Sequence, residues 1–299
     1  MNKFRFSGHE SFQCRNLWPK KGYDFIHQKN GDIHSEEAVL SLGVGKNMTT
    51  AIRFWMDSFG FLKEKKSPTS YKVGQKLLSD GGWDPYLENI GSLWLLHFEL
   101  VRNDYASIYN LVFNHFRKYR TEFTKQHLLS FLKSKIHERE GTLPADSTLE
   151  TDIGVLIKTY VQPSSKDGKN NIEDHFSSLL PELNLIKEID FAEAGEDEKQ
   201  NWYRFESISP EILPVEIFLY SILENKKYTR SISFQDLLNS ENSPGSVFSL
   251  SPDGLVSKIE ELTMTDDRIV YTEDAGIRLL QIPANIDPIE VLTGFYGRR

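Results

Sequence analysis

The 299-residue chain is 39% apolar and 12% aromatic and carries a net charge of −8, enough length and apolar content for two or three compact domains but not the balance of a generally basic nucleic-acid binder. No apolar run approaches the roughly 18–20 residues of a membrane span, and the start, MNKFRFSGHESF, lacks the apolar stretch of a signal peptide. A single cysteine, Cys14, excludes an internal disulfide and a multi-cysteine zinc site, so the expectation is a soluble cytoplasmic protein with no membrane partner. The charge is uneven: residues 1–80 hold 13 Lys and Arg against 8 Asp and Glu, whereas the remainder holds 22 against 35. A basic patch that meets phosphate therefore belongs in the first quarter of the chain.

Alternation of Phe4 and Phe6 suggests a short strand, and Gly8 to Phe12 reads as a tight turn presenting polar groups. His9 and Glu10 are adjacent, so their side chains diverge in either a strand or a helix. No His-Glu-x-x-His follows, which removes the zincin metal site. His9 fits a base, a metal ligand or a hydrogen-bonded structural residue. Leu17-Trp18-Pro19-Lys20-Lys21-Gly22 then leads into a helix from Gly22 to about Gln28.

Residues 35–74 carry the strongest pattern. Ser35 can cap a helix, and Glu36 and Glu37 suit the positive end of its dipole. Gly43-Val44-Gly45 breaks that helix, since glycine takes the left-handed geometry of a helix end. A second helix follows from about Lys46 to Ser58. Its Met48, Ala51, Ile52, Trp55 and Met56 recur at helical spacing as one buried stripe. Lys46, Asn47, Thr49, Thr50 and Arg53 fall on the other side, where such side chains reach phosphates and base edges. Phe61 to Lys66, the turn Ser67-Pro68-Thr69-Ser70 and Tyr71-Lys72-Val73 read as a hairpin bearing Lys63, Lys65, Lys66 and Lys72. Helix, turn, helix and basic hairpin is the order of a winged helix-turn-helix. With Lys20 and Lys21, these residues make the candidate DNA-binding set. The same unit also serves as a protein-docking module, and a lysine-rich hairpin is often only a solvated edge.

Ser79 to Pro85 is a strong break. GSLWLLHFEL, residues 91–100, reads as a buried helix, and Ser107 to Tyr119 as another ending in the basic cluster Arg117-Lys118-Tyr119-Arg120. Thr124 caps a helix to about Arg139, and a further helix spans Thr148 to Val161. A short helix at 173–180 and strands at 185–191 and 202–205 follow, joined by an acidic loop that is no place for DNA. The last part repeats this order. Helices fall at 214–224, 233–238 and 254–262, the last capped by Ser251-Pro252-Asp253, and a hairpin at 268–282 closes the chain. The fold class expected is mainly α with small β-hairpins, an α+β chain of tandem winged helix-turn-helix-like modules joined by a helical middle region. The domain limits expected are 1–82, 83–206 and 207–299.

Enzyme motifs are few. Gly43-Val44-Gly45-Lys46 lacks the spacing of a phosphate loop and follows a helix instead of a strand. No Gly-x-Ser-x-Gly elbow occurs, and Cys14 with scattered histidines is a weak nucleophile signal.

Three stretches, FSGHESFQCRNLWPKKGYD (6–24), LGVGKNMTTAIRFW (42–55) and DPYLENIGSLWLLHFEL (84–100), followed by the acidic helical remainder, resemble a bacterial domain-of-unknown-function family typified by SspB and encoded beside DNA phosphorothioation genes. The likeness is strong over about the first 100 residues and weak beyond. Ser11 stands where the family motif has Thr, and Gln13-Cys14 where it has Pro and an apolar residue. The resemblance implies a component of single-stranded phosphorothioate modification in antiphage defence, a DNA nickase or an adaptor. Its implied partners are DNA, a cysteine desulfurase, an ATPase and a reductase-like sulfur transferase. A plain transcriptional regulator is a further reading of the helix-turn-helix. No cofactor is evident. If the chain cleaves DNA, the candidates are His9 as base, Glu10 as ligand of a magnesium or manganese ion and Arg15 as phosphate clamp.

Overall fold

Helix α5 (Ile90–Arg102) is the axis of the molecule, because every residue from Gly91 to Val101 is buried. A helix buried on every side has no solvent face and must be enclosed by other elements. In a computed structural model, residues 3–28, 31–33, 35–62, 67–162, 178–189 and 201–298 are described. Lys63, Lys65, Lys66, the acidic loop and most of the helix expected at 173–180 lie outside them.

Before α5 come four helices: α1 (Trp18–Tyr23), which runs on as a π-turn (Asp24–Gln28), α2 (Glu36–Leu42), α3 (Lys46–Ser58) and α4 (Pro68–Leu78). Ser35 caps α2, accepting the Ala38 N–H at 3.2 Å. Gly43 ends it with φ +65°, the left-handed turn that glycine adopts without steric cost. Helix α1 starts four residues earlier than the pattern suggested, because Pro19 favours the first turn. The expected hairpin is overturned at its second arm. Tyr71, Lys72 and Val73 lie inside α4, where Pro68 opens the helix and Val73, Leu77 and Leu78 bury one face. The expected strand at Phe4 and Phe6 is also absent. There Arg5 exchanges hydrogen bonds with Ser107: its N–H donates to the hydroxyl at 2.9 Å and its carbonyl accepts the Ser107 N–H at 3.2 Å.

After α5 the chain makes two units of similar order, the second with one extra short helix. The first has α6 (Ser107–Leu111), a π-turn (Val112–Phe116) and α7 (Arg117–Tyr119), then β1 (Glu122–Thr124), α8 (Lys125–Glu140), α9 (Asp146–Tyr160), β2 (Ile186–Ile189) and β3 (Trp202–Phe205). The second has α10 (Val215–Leu223), β4 (Ser231–Ser233), α11 (Phe234–Asn239), α12 (Pro244–Val247), α13 (Pro252–Thr265), β5 (Val270–Asp274) and β6 (Ile277–Gln281). Each holds a three-stranded antiparallel sheet whose last strand lies in the middle, β1-β3-β2 and β4-β6-β5. Phe123 pairs with Tyr203 and Ile232 with Leu280, so both sheets turn apolar side chains inward. The fold is therefore mainly α with two small sheets, and the helix–strand–helix–helix–hairpin order belongs to the two later units, not to the basic one.

Helix α14 (Pro288–Tyr296) closes the chain against α10 and α4. One hydrophobic core runs through all three stretches, and α5 ties them by polar bonds. Trp94 donates to the Ile212 carbonyl at 2.9 Å, and His97 bonds the Tyr160 hydroxyl and the Val247 carbonyl, both at 2.8 Å. Glu99, fully buried, accepts from Ser70 at 2.7 Å, Tyr220 at 2.6 Å and Arg102 at 3.0 Å. Charge-assisted bonds of this kind make a buried carboxylate tolerable.

Candidate functional site

The N-terminal turn gathers four positive-φ residues within five positions. Ser7, Gly8, Glu10 and Ser11 all have positive φ, at +65°, +99°, +49° and +65°. Such a run persists only where its surroundings over-determine it, and here they do. His9 is buried, and its Nε2 lies 2.5 Å from Asp152 Oδ1 on α9. Its Nδ1 accepts the Ser11 N–H at 3.1 Å, which leaves Nε2 as the donor to the carboxylate. Asp152, equally buried, also takes the Ser7 N–H at 3.0 Å to each oxygen. The Phe54 ring of α3 meets the imidazole edge-on, centroids 5.4 Å apart.

The three catalytic candidates therefore have separate surroundings. Both ring nitrogens of His9 are engaged in hydrogen bonds within the chain. Glu10 stands exposed beside it. Arg15 is drawn against aromatic faces, its guanidinium carbon 5.5 Å from the Trp18 ring centre and 5.9 Å from that of Phe12. Asp152, the partner that gives His9 its place, could not be found from sequence, because 143 residues separate the pair.

The second candidate region is the outer side of α3. Lys46, Asn47 and Thr50 are exposed at its first two turns, and Arg53 follows one turn on, 29% exposed and only loosely paired with Asp57 at 3.7 Å. Lys46, Thr50 and Arg53 stand at i, i+4 and i+7 and so share a face. The helix is capped by Gly45 without a side-chain hydrogen bond, and nothing lies within 4 Å of a Cβ added at Gly43 or Gly45. The α2–α3 turn is thus open to approach, and the first N–H groups of α3 lack a side-chain partner.

Two expected contacts do not belong to this face. Thr49 is buried with its hydroxyl turned back to the Gly45 carbonyl at 3.3 Å. Lys20 is buried between Asp24 and Asp80, at 2.6 and 2.7 Å, and serves to tie α1 to the end of α4. Lys21 is exposed and donates to the Leu42 carbonyl at 3.3 Å. Lys72 is exposed on α4.

A cleft of about 960 Å³ opens beside the α2–α3 turn, lined among others by Arg15, Lys21, Val44, Tyr86 and Leu179. Buried Trp18 and Leu93 also line it. Sequence reasoning passed over Tyr86. Its one signal was its place between Asp84-Pro85 and the capping Asn89, in a loop just before the buried helix.

The fold, the capped helix–glycine turn–helix and the locked N-terminal turn define a class that comparison with known proteins makes specific. The chain belongs to the family described as "Protein of unknown function (DUF4007)", whose model matches residues 6–296. It is similar to a solved structure described as "SspB crystal structure", 26% identical, with a TM-score of 0.81 over 98% of this chain and 88% of that one. It is equally similar in identity and coverage to "Magnesium ion-bound SspB crystal structure", with a TM-score of 0.83. No curated protein matches the chain.

The magnesium belongs to that SspB. In this chain no three His, Cys, Asp or Glu side chains among the described residues are grouped to hold a metal ion. Glu10, the expected ligand, stands exposed at the N-terminal turn, and His9 beside it has both nitrogens in hydrogen bonds within the chain. No helix among the described residues is long and apolar enough to cross a membrane.

Proposed function

We propose that this chain is a DNA-contacting component of a bacterial phosphorothioate DNA-modification system, and that it holds DNA on the exposed face of α3. Likeness to SspB over 98% of the chain supports the assignment to that system. The observation that carries the DNA contact is the row of exposed Lys46, Asn47 and Thr50 with half-buried Arg53, beside an open helix start. Cationic and amide side chains on one helix face, with free N–H groups at its head, are what a phosphate backbone and base edges require. The acidic remainder stays off DNA and is left for protein partners, the desulfurase, the ATPase and the sulfur transferase.

The test is DNA binding by fluorescence anisotropy across a salt series. Each phosphate contact contributes about 0.9 to the slope of log affinity against log salt. The variant Lys46→Ala/Arg53→Ala is expected to lower that slope by roughly 2 and to bind more weakly on every sequence. An unchanged slope removes α3 from the interface.

An adaptor reading has its own support in exposed apolar side chains far apart in sequence, Leu40 and Met264 at 83% and Ile277 at 61%. Wild-type protein that binds no DNA yet co-purifies with the three partner subunits would establish it in place of the first. Nicking belongs to this chain if purified protein relaxes supercoiled plasmid with magnesium or manganese and not with chelator.

A further inference from the structure

The cleft beside the α2–α3 turn is a built site that the contact face of α3 does not use. Its floor is apolar: Trp18, Leu93 and Leu179 are 4%, 3% and 4% exposed. One wall is the loop between α4 and α5. There the buried Asp84 carboxylate accepts the N–H groups of Glu88 at 3.0 Å and Asn89 at 2.9 Å, and the Ser92 hydroxyl at 2.6 Å. These bonds hold Leu87 at φ +58°, a conformation that branched apolar residues rarely adopt. Leu87 is buried by it, while its neighbour Tyr86 keeps its ring 58% exposed at the cleft. Strain of this kind, fixed by three bonds to one carboxylate, is a device for presenting a side chain.

The opposite wall carries charge. Arg15 and Lys21 both line the cleft, Arg15 against Trp18 and Phe12, Lys21 at the end of α2. Glu88 and Glu182 line it too. Val44 is part of the same lining. Val44 sits between Gly43 and Gly45, so the lining of the cleft is two residues along the chain from Lys46 at the head of α3.

We propose that this cleft receives a single nucleotide unstacked from the DNA held on α3. Its base lies against Tyr86, and its phosphate lies near Arg15 and Lys21. The proposal rests on the DNA-contacting reading above and names what that surface does with the strand. An exposed aromatic ring beside two cations is the combination that holds unpaired bases. The carboxylates of Glu88 and Glu182 can accept hydrogen bonds from a base amino group. A cleft of this volume is within the range of small-ligand sites, and a paired, stacked base cannot enter it without leaving the duplex.

The test uses the full chain and two duplexes of one sequence, fully paired or carrying one unpaired 2-aminopurine nucleotide. Wild-type protein is expected to bind the second roughly tenfold more tightly, the scale of one base–aromatic stack, and to quench its fluorescence. Tyr86→Ala is expected to abolish both the preference and the quench while leaving affinity for the paired duplex unchanged. Tyr86→Phe is expected to keep both. Salt-dependent binding with equal affinity for the two duplexes would overturn the nucleotide site and leave the α3 contact standing. Binding to neither duplex would overturn both. A preference that survives Tyr86→Ala would remove the cleft as its origin.

Discussion

His9→Ala separates a structural histidine from a chemical one. The imidazole donates to Asp152 at 2.5 Å in a site where both residues are nearly inaccessible to water. Removing it leaves the carboxylate with the Ser7 N–H as its remaining partner here. Loss of a hydrogen bond to a buried carboxylate costs about 3 kcal/mol, and loss of the edge contact with Phe54 adds about 1 kcal/mol. An unfolding entropy of about 2.1 cal/mol/K per residue makes about 0.6 kcal/mol/K for this length. The expected fall in Tm is therefore about 5–7 °C, with a matching drop in the urea midpoint. A double-mutant cycle with Asp152→Ala is expected to show coupling of about 2 kcal/mol. Plasmid nicking is to be assayed on the same preparations, below the variant's transition. A His9→Ala protein with unchanged Tm and no coupling to Asp152 would refute the structural role. If that stable variant also lost nicking, His9 would return as the base.

Two further outcomes follow from burial. Desolvation holds the His97 pKa down to about 4, against an ordinary 6.5, with the Val247 carbonyl only partly opposing it. The unfolded chain binds a proton in that interval and the folded chain does not, so stability is complete above pH 6.5 and is lost as pH falls toward 4. The loss is about 3 kcal/mol; urea midpoints at pH 7 and 4.5 should show it for wild type and less of it for His97→Gln, and an equal fall in both would count against it. Lys20→Met is expected to leave DNA affinity within about twofold of wild type, because Lys20 is taken up by Asp24 and Asp80; an anisotropy loss equal to that of Lys46→Ala would put Lys20 back in the interface.

The sequence made the helices legible where caps and periodicity agreed. Ser35, Gly43, Thr124 and Ser251 each stand at the expected helix end. Helix α5 was visible as an apolar run, and the hairpin of β5 and β6 as two strands around Ala275-Gly276, both at positive φ. The strands β1 and β4 were invisible because three residues carry no period. They exist only through pairing with β3 and β6, far along the chain. The basic hairpin misled because Ser67-Pro68 marks a turn and a helix start equally well. What decided between them was the burial of Val73, Leu77 and Leu78 on one helical side. At the candidate site, the exposed part of the α3 face was legible from spacing. The engagement of His9 with Asp152 and the presentation of Tyr86 were not, since both depend on partners brought together by folding.

Under the proposed function, the placement of charge gives an acidic protein one surface that suits DNA. At physiological salt, charges more than about 8 Å away are largely screened, so the sign of contact is set by the side chains at the surface of α3 and not by the net −8. The acidic remainder acts on what the rest of the surface rejects. In the proposed reading it keeps the two later units off phosphate and leaves one face for DNA. Helix α5 then converts that division of surface into a fixed geometry. Through Glu99, Trp94 and His97 it bonds to the basic stretch and to both later units at once. In that same reading, a strand held at α3 keeps a defined position relative to any protein docked on the acidic units. That is the arrangement needed to present one point of DNA to a partner's chemistry.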